Sequence, residues 1–343
     1  MKINKTKSPS SSLRSPGFSG AGWRIHLAVA VVLLGLIALP FVPEMKFYYL
    51  QVIILIFWFA ILGTAWGISG GYGGQHSVGN AAFVGLGAYS STLLFVNYGI
   101  SPWIGLFVGV ALAAVFALVI GYPVFRFGLR GDYFTLASVA FGLVAFEIGQ
   151  GAAWLTGGSQ GVPISYVDDP LMFQFADRRW FYFIAMALWL ITLFVSYMIR
   201  RSRFGFQILA VRDDEAAASR GGVSVLRTKL TAFVITAMLT AAAGTFYAQF
   251  FLFIDPGAVM HLSLSVQIIV IAALGGMGSF MGATLGALVL VPVSQVLASE
   301  FAGIPGLDLL LYGLILVLIM MYMPYGLLGT LRKKPKWRNI IGW

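Results

Sequence analysis

The 343-residue chain contains no cysteine, only three histidines and few charges. Without Cys there are no disulfides, thiolate metal ligands or cysteine nucleophiles, and His26, His76 and His261 lie too far apart in sequence to suggest a metal centre. Charged residues make up 10% of the chain, where a soluble domain carries roughly a quarter. That is too few to cover a water-facing fold, so a two-domain soluble enzyme is excluded. The phosphate-cradling G-x-x-x-x-G-K-S/T is absent, as are H-E-x-x-H and paired catalytic carboxylates. No catalytic residue, metal or cofactor is therefore expected, and any ATP must act through a partner.

What the chain does have is apolar: 59% hydrophobic residues, mean hydropathy +0.89, 28 Phe, 9 Trp and 41 Gly. Its main solvent is lipid, with Gly available for close helix contacts. Long apolar runs cover approximately 25 to 43, 47 to 68, 78 to 97, 102 to 125, 133 to 151, 180 to 199, 230 to 252, 264 to 280, 282 to 299 and 307 to 328. Each is near the length of about 20 residues that crosses a bilayer, and none shows the in-out alternation of a membrane barrel strand. The expected fold is an all-α polytopic membrane protein with about ten transmembrane helices. Residues 1 to 22 read as a disordered cytoplasmic tail, 23 to 331 as the membrane domain with an internal segment at 200 to 229, and 332 to 343 as a basic cytoplasmic tail.

Ten spans place both termini on one side, and the basic residues divide accordingly. The connections on that side hold 19 of the 22 Lys and Arg, against Lys46, Arg178 and Arg179 on the other, where most acids lie. Positive residues favour the cytoplasmic side, so both termini are expected there. The net charge of +10 is then topology, contact with membrane lipid rather than nucleic acid.

The internal segment RRSRFGFQILAVRDDEAAASRGGVSVLRTK reads as a short helix over 212 to 222. Asp213, Asp214 and Glu215 suit its first turn, Ala216 to Ala218 propagate it, Arg220 suits its last turn, and Gly221 with Gly222 ends it. It is either a solvated surface helix or a close-fitting docking element. The Gly-rich stretches 67 to 89 and 275 to 286 interrupt apolar runs, and Gly278, Gly282 and Gly286 at spacing four predict one packing face. Both stretches serve close backbone approach or, as interrupted helices, line a path. On the second reading Gln75, Ser77, Asn80 and Tyr89, with Thr135, Glu147 and Gln150, are its polar candidates. Glu147 is the one well-embedded acid. Thr236, Thr240, Thr245 and Gln249 predict hydrogen bonds between helices or, alternatively, path-lining groups.

SVGNAAFVGLGAY (77 to 89), LRGDYFTLASVAFG (129 to 142), LTGGSQGVP (155 to 163), RSRFGFQILAVRDDEAAASRGG (201 to 222), LGGMGSFMGATLGA (274 to 287) and MPYGLLG (323 to 329) follow one another in a familiar order. Together they resemble the inner-membrane permease subunits of branched-chain amino-acid ABC transporters, over about residues 60 to 330. The resemblance implies the helix arrangement of ribose-type and vitamin-B12-type importers in the bacterial inner membrane. It also implies a complex with ABC ATPase subunits, a homologous second permease and an extracytoplasmic solute-binding protein. It casts Glu215, Ala216, Ala217 and Gly221 as the E-A-A-x-x-x-G of the helix that docks on the ATPase, with Arg212, Asp213, Asp214 and Gly222 flanking it. Asn80 stands where the family usually has His, and Leu143 and Phe146 where it has Glu and Arg, which leaves urea and short amides open as alternative solutes. A secondary transporter or channel is the alternative from another class.

Overall fold

The structure is a computed structural model that describes residues 31, 33–42, 47–301, 304, 306–322 and 326–332. The predicted tail at 1 to 22, most of the predicted first span and the chain beyond 332 lie outside the described residues. Of the unit that ends at Lys46, a helical run over 33–38 passes into a 3-10 turn at Leu39–Phe41.

Among its described residues, the second unit, from Phe47 onward, is mostly helical. Its helices are α1 (Phe47–Trp66), α2 (Ala81–Tyr98), α3 (Pro102–Arg126), α4 (Asp132–Gly151), α5 (Arg179–Arg201), α6 (Arg203–Asp213), α7 (Glu215–Arg220), α8 (Val225–Phe251), α9 (Leu262–Gly275), α10 (Gly282–Glu300), α11 (Leu307–Tyr322) and α12 (Gly326–Arg332). Eight helices among the described residues are long and apolar enough to cross a membrane: α1 with its extension to Tyr72, α2, α3, α4, α5, α8, α9 with the turn that precedes it from Pro256, and α10. Of the run predicted at 307 to 328, the described residues form α11, with 16 residues, and the start of α12, and residues 323–325 between them lie outside the described residues.

Burial separates a central helix from peripheral ones. Of the most apolar window of α1, 89% is buried, against 22% for α4. The aromatic core joins α2, α3, α4 and α8 through Phe83, Phe125, Phe134 and Phe233, with Ala113, Ala117, Ala237 and Ala241 filling the gaps. In a bundle surrounded by lipid, such interlocking surfaces and buried hydrogen bonds replace the hydrophobic drive. Thr236 Oγ1 donates to the Ala65 carbonyl at 3.0 Å, Thr245 Oγ1 to the Gly87 carbonyl at 2.9 Å, and Trp58 Nε1 to the Ala243 carbonyl at 2.9 Å. On the opposite end, Val162–Pro163 pairs antiparallel with Phe253–Ile254, tying the long connection after α4 to the end of α8.

The α2–α8 contact depends on two glycines. A Cβ on Gly87 would collide with the Ala241 carbonyl, and one on Gly244 with the Val84 carbonyl. Gly87→Val and Gly244→Val are each expected to cost about 1–3 kcal/mol or more by prying the helices apart. The check is the thermal unfolding midpoint in detergent, which should fall for both. It should hold for Gly151→Ala, whose Cβ would meet nothing within 4 Å.

Candidate functional site

The site begins where α1 ends. Gly67–Tyr72 continues it as a wider π-helical turn, and residues 73 to 80 then run without helical structure to the start of α2. The sequence dictates the break. Gly70 leaves room for the Trp66 indole, and Gly74 adopts φ +64, a conformation that favours Gly. Backbone outside a helix at membrane depth needs protein partners, and four neighbouring elements provide them. Trp66 Nε1 donates to the Ser77 carbonyl at 2.8 Å, and the Gln75 N–H to the Ser69 carbonyl at 3.0 Å. From α4, Thr135 Oγ1 donates to the His76 carbonyl at 3.0 Å, while Ser138 Oγ accepts from the Val78 N–H at 2.8 Å. From α9, Ser265 Oγ accepts from the Ala81 N–H at 2.9 Å.

The side chains of this segment remain less satisfied than its backbone. Gln75, Ser77 and Asn80 are buried, yet Gln75 Oε1, Ser77 Oγ and both amide atoms of Asn80 have no hydrogen-bond partner among the described residues. Tyr89 OH, Thr64 Oγ1 and Thr240 Oγ1 share that state in α2, α1 and α8. Buried polar atoms are paired in the great majority of cases, so this cluster is an exception that asks for a ligand, a water or a partner.

Directly below lies the internal segment. Ser202 caps α6, accepting from the Gly205 N–H, and α6 stops at Asp214. The helix predicted over 212 to 222 is thus two helices. Arg212 and Asp213 end α6, and Asp214, extended at φ −157, caps α7 by accepting from the Ala216 and Ala217 N–H groups at 2.8 and 3.0 Å. Acids compete with the backbone for hydrogen bonds and so favour caps over helix interiors. Gly221 keeps φ −76, and the left-handed turn falls on Gly222 at φ +83. Ala216, Ala217, Ser219 and Arg220 form an exposed face, with Ala218 buried behind them.

Glu215 turns away from that face. Its carboxylate binds Lys229 Nζ of α8 and, at 2.9 Å, Arg130 Nε of the α3–α4 connection. Lys229 is 8% exposed and also lies 5.9 Å from the Phe125 ring. Arg212 reaches the broken segment itself: its Nη1 donates to the Gly71 carbonyl at 3.4 Å and its Cγ faces Gly74. A cavity of about 200 Å3 sits among these groups, lined by Gly74, Gln75, Arg130, Arg212, Glu215 and Lys229.

Of the seven path candidates, the structure gathers Gln75, Ser77, Asn80 and Thr135 in and against the broken segment. Glu147 is exposed and Gln150 half-buried near the far end of α4, and Tyr89 stands along α2. Of the three glycines predicted to share a helix face, Gly282 and Gly286 do lie on α10, within contact of Gly275 and Ile271 of α9. Gly278 instead occupies the preceding turn at φ +88. Sequence reasoning missed Arg130 and Lys229 as partners of Glu215. Lys229, embedded at the start of an apolar run, was the available signal.

Lys229 generates a stability prediction. Removing one member of a buried ion pair typically costs about 3–5 kcal/mol, whereas replacing both is near neutral. Glu215→Gln and Lys229→Met should each lower the thermal midpoint in detergent markedly, and the double variant should recover much of the loss. Arg130→Ala, at a side chain 63% exposed, should cost less than about 1 kcal/mol.

Similarity to known proteins bears on what this arrangement belongs to. The family described as "Branched-chain amino acid transport system / permease component" matches residues 48–320. The chain is 30% identical to the high-affinity branched-chain amino acid transport system permease protein LivM of Escherichia coli K12, over 94% of this chain and 80% of that protein. It is 33% identical to the permease protein LivH of Salmonella typhimurium over 41% of this chain and 46% of LivH. The autoinducer 2 import system permease protein LsrC of Enterobacter sp. 638 is 28% identical over 59% of this chain and 58% of that protein. The match over most of the chain makes this polytopic helical protein a member of the branched-chain amino acid transport system permease family.

Proposed function

We propose that the chain is a permease subunit of an ATP-driven importer for branched-chain amino acids, working beside a homologous second permease, two ABC ATPase subunits and an extracytoplasmic solute-binding protein. One observation carries the coupling part of this reading: α7 presents a small-residue face outward while Glu215 anchors it inward to Lys229. Ala216 and Ala217 let a partner surface approach closely. Asp214 and Gly222 fix the two ends, so little ordering is needed on docking. On this reading Arg212 passes the movement of α7 to residues 73 to 80, whose unpaired Gln75, Ser77 and Asn80 belong to the translocation path. Glu147 and Gln150, exposed and half-buried on a helix that its own chain barely covers, complete that path against the second permease.

The same proposal includes about ten spans arranged as in ribose-type and vitamin-B12-type importers, with both termini, the 1 to 22 tail, the 200 to 229 segment and the basic 332 to 343 tail in the cytoplasm of a bacterial inner-membrane protein. The distribution of Lys and Arg supports it.

Ala217→Trp obstructs the outward face without touching the ion pair. Reconstituted with its partners, this variant should insert and assemble normally yet lose at least about tenfold of the ATP hydrolysis stimulated by loaded binding protein. Normal stimulation would refute the docking role. A Cys at Ser219, in a chain with no other Cys, should react with impermeant reagents only from the cytoplasmic side, and labelling from outside would overturn the orientation.

A further inference from the structure

A second polar cavity, of about 250 Å3, lies at the other end of the molecule, between the connection that precedes α5 and the C-terminal end of α8. Its walls are apolar and aromatic, with Phe175, Phe181, Phe250 and Leu252 among them. Three longer polar side chains, Gln174, Arg178 and Gln249, share the lining. Gln174 is fully used: its Oε1 accepts from the Val167 N–H at 2.6 Å, and its Nε2 donates to the Ser165 carbonyl at 3.2 Å and to Gln249 Oε1 at 3.4 Å. Gln249 is not. It is wholly buried, its Oε1 is taken by Gln174, and its Nε2 has no partner.

Arg178 is the one charged group in this lining. It has no ion pair among the described residues, and its guanidinium lies 3.9 Å from the centre of the Phe47 ring. Its neighbour Arg179 has an acid, Asp177, at 3.9 Å. Arg178 is exposed overall, and partial desolvation pulls its pKa down from its ordinary value, though an arginine remains charged at any physiological pH. A guanidinium without an ion pair and an amide N–H without a partner, both on residues of one cavity lining, offer donors only, and a guanidinium fork matches a carboxylate. The aromatic wall suits an aliphatic or aromatic side chain. The volume falls just below the usual range for ligand pockets, about 300–1,000 Å3, which fits a solute of amino-acid size.

We propose that this cavity is a binding site for a small carboxylate carrying an apolar side chain, held by Arg178 and Gln249 and packed against Phe181 and Phe250. The carboxylate chemistry stands on the cavity alone. That the physiological occupant is a branched-chain amino acid rests on the proposed function, in which this end faces the binding protein and the cavity receives the solute before it enters the path.

The test uses the assembled transporter in nanodiscs of phosphatidylcholine only, without binding protein, and measures equilibrium binding of radiolabelled leucine. Unlabelled 4-methylpentanoate, which keeps the carboxylate and the branched chain, should compete, and 3-methylbutylamine, which lacks the carboxylate, should not. Arg178→Gln should weaken leucine binding at least tenfold, Gln249→Leu should weaken it as well, and both should keep the parental thermal midpoint. If either variant lowers the midpoint, Arg178→Lys serves in its place, with the expected result an intermediate affinity. The proposal is overturned if the parent binds no leucine, if Arg178→Gln or Arg178→Lys binds it as the parent does, or if phosphatidylglycerol in the nanodisc displaces it, which would make the site a lipid headgroup site. Leucine uptake by the parent complex with its binding protein is measured in parallel. Absent uptake would sink the transport reading, whereas intact uptake with unaltered binding in the Arg178 variants would sink only the cavity.

Discussion

Backbone that leaves a helix at membrane depth must find its hydrogen bonds within the protein, and much of this molecule is arranged around that requirement at residues 73 to 80. The central helix α1 does not simply end; it loosens through a π turn and continues as irregular chain. Trp66, Thr135, Ser138 and Ser265, from three different helices, then hold that chain in place. The glycines that make the break possible also remove side chains that would shield it, so packing from α4 and α9 must substitute. The broken segment is in this way a joint where α1, α2, α4 and α9 meet. It is also where the cluster of unpaired buried side chains is densest.

The second organising element is electrostatic and lies just beneath. A buried lysine is tolerated only with a partner, because desolvating an ammonium without one costs several kcal/mol. Lys229 finds it in Glu215, on the short helix in front of its own. The pair therefore fixes α7 to the base of α8, while Arg212 ties the end of α6 to Gly71. A short helix carried on a flexible loop would absorb a push. On the proposed reading, one anchored at Glu215 and braced at Arg212 passes it on.

The apolar runs were legible because lipid demands length, and eight of the ten predicted spans correspond to helices among the described residues long enough to cross. Their ends were less legible, each for a local reason. The apolar run begins at Leu230, yet the helix begins at Val225, with Lys229 buried and paired with Glu215. Asp213, Asp214 and Glu215 looked like one helical turn, but a single cap suffices to split such a run, and Asp214 is it. Spacing four placed Gly278 on the face of Gly282 and Gly286, although its positive φ puts it in the turn. The inward orientation of Glu215 was out of reach, since its partner lies fourteen residues on and in another helix. Likewise the sequence marked Gln75, Ser77 and Asn80 as polar within an apolar run, but only packing makes them unpaired.

The central claim is that the α6–α7 element and the broken segment act as one body, and a reversible tether tests it directly. A Cβ at Gly74 would lie 3.8 Å from Arg212 Cβ, the mean spacing, about 3.8 Å, across a disulfide. In a chain without other cysteines, the Gly74→Cys/Arg212→Cys variant can therefore be locked by oxidation and released by reductant. Reduced, it lacks both the Arg212 brace and the glycine at φ +64 and should show weaker solute-stimulated ATP hydrolysis than Gly74→Cys alone; oxidised, the covalent link should bring it back to the level of that single variant. Activity in the reduced form that oxidation abolishes would show that the two elements must move apart during the cycle, and would contradict the account.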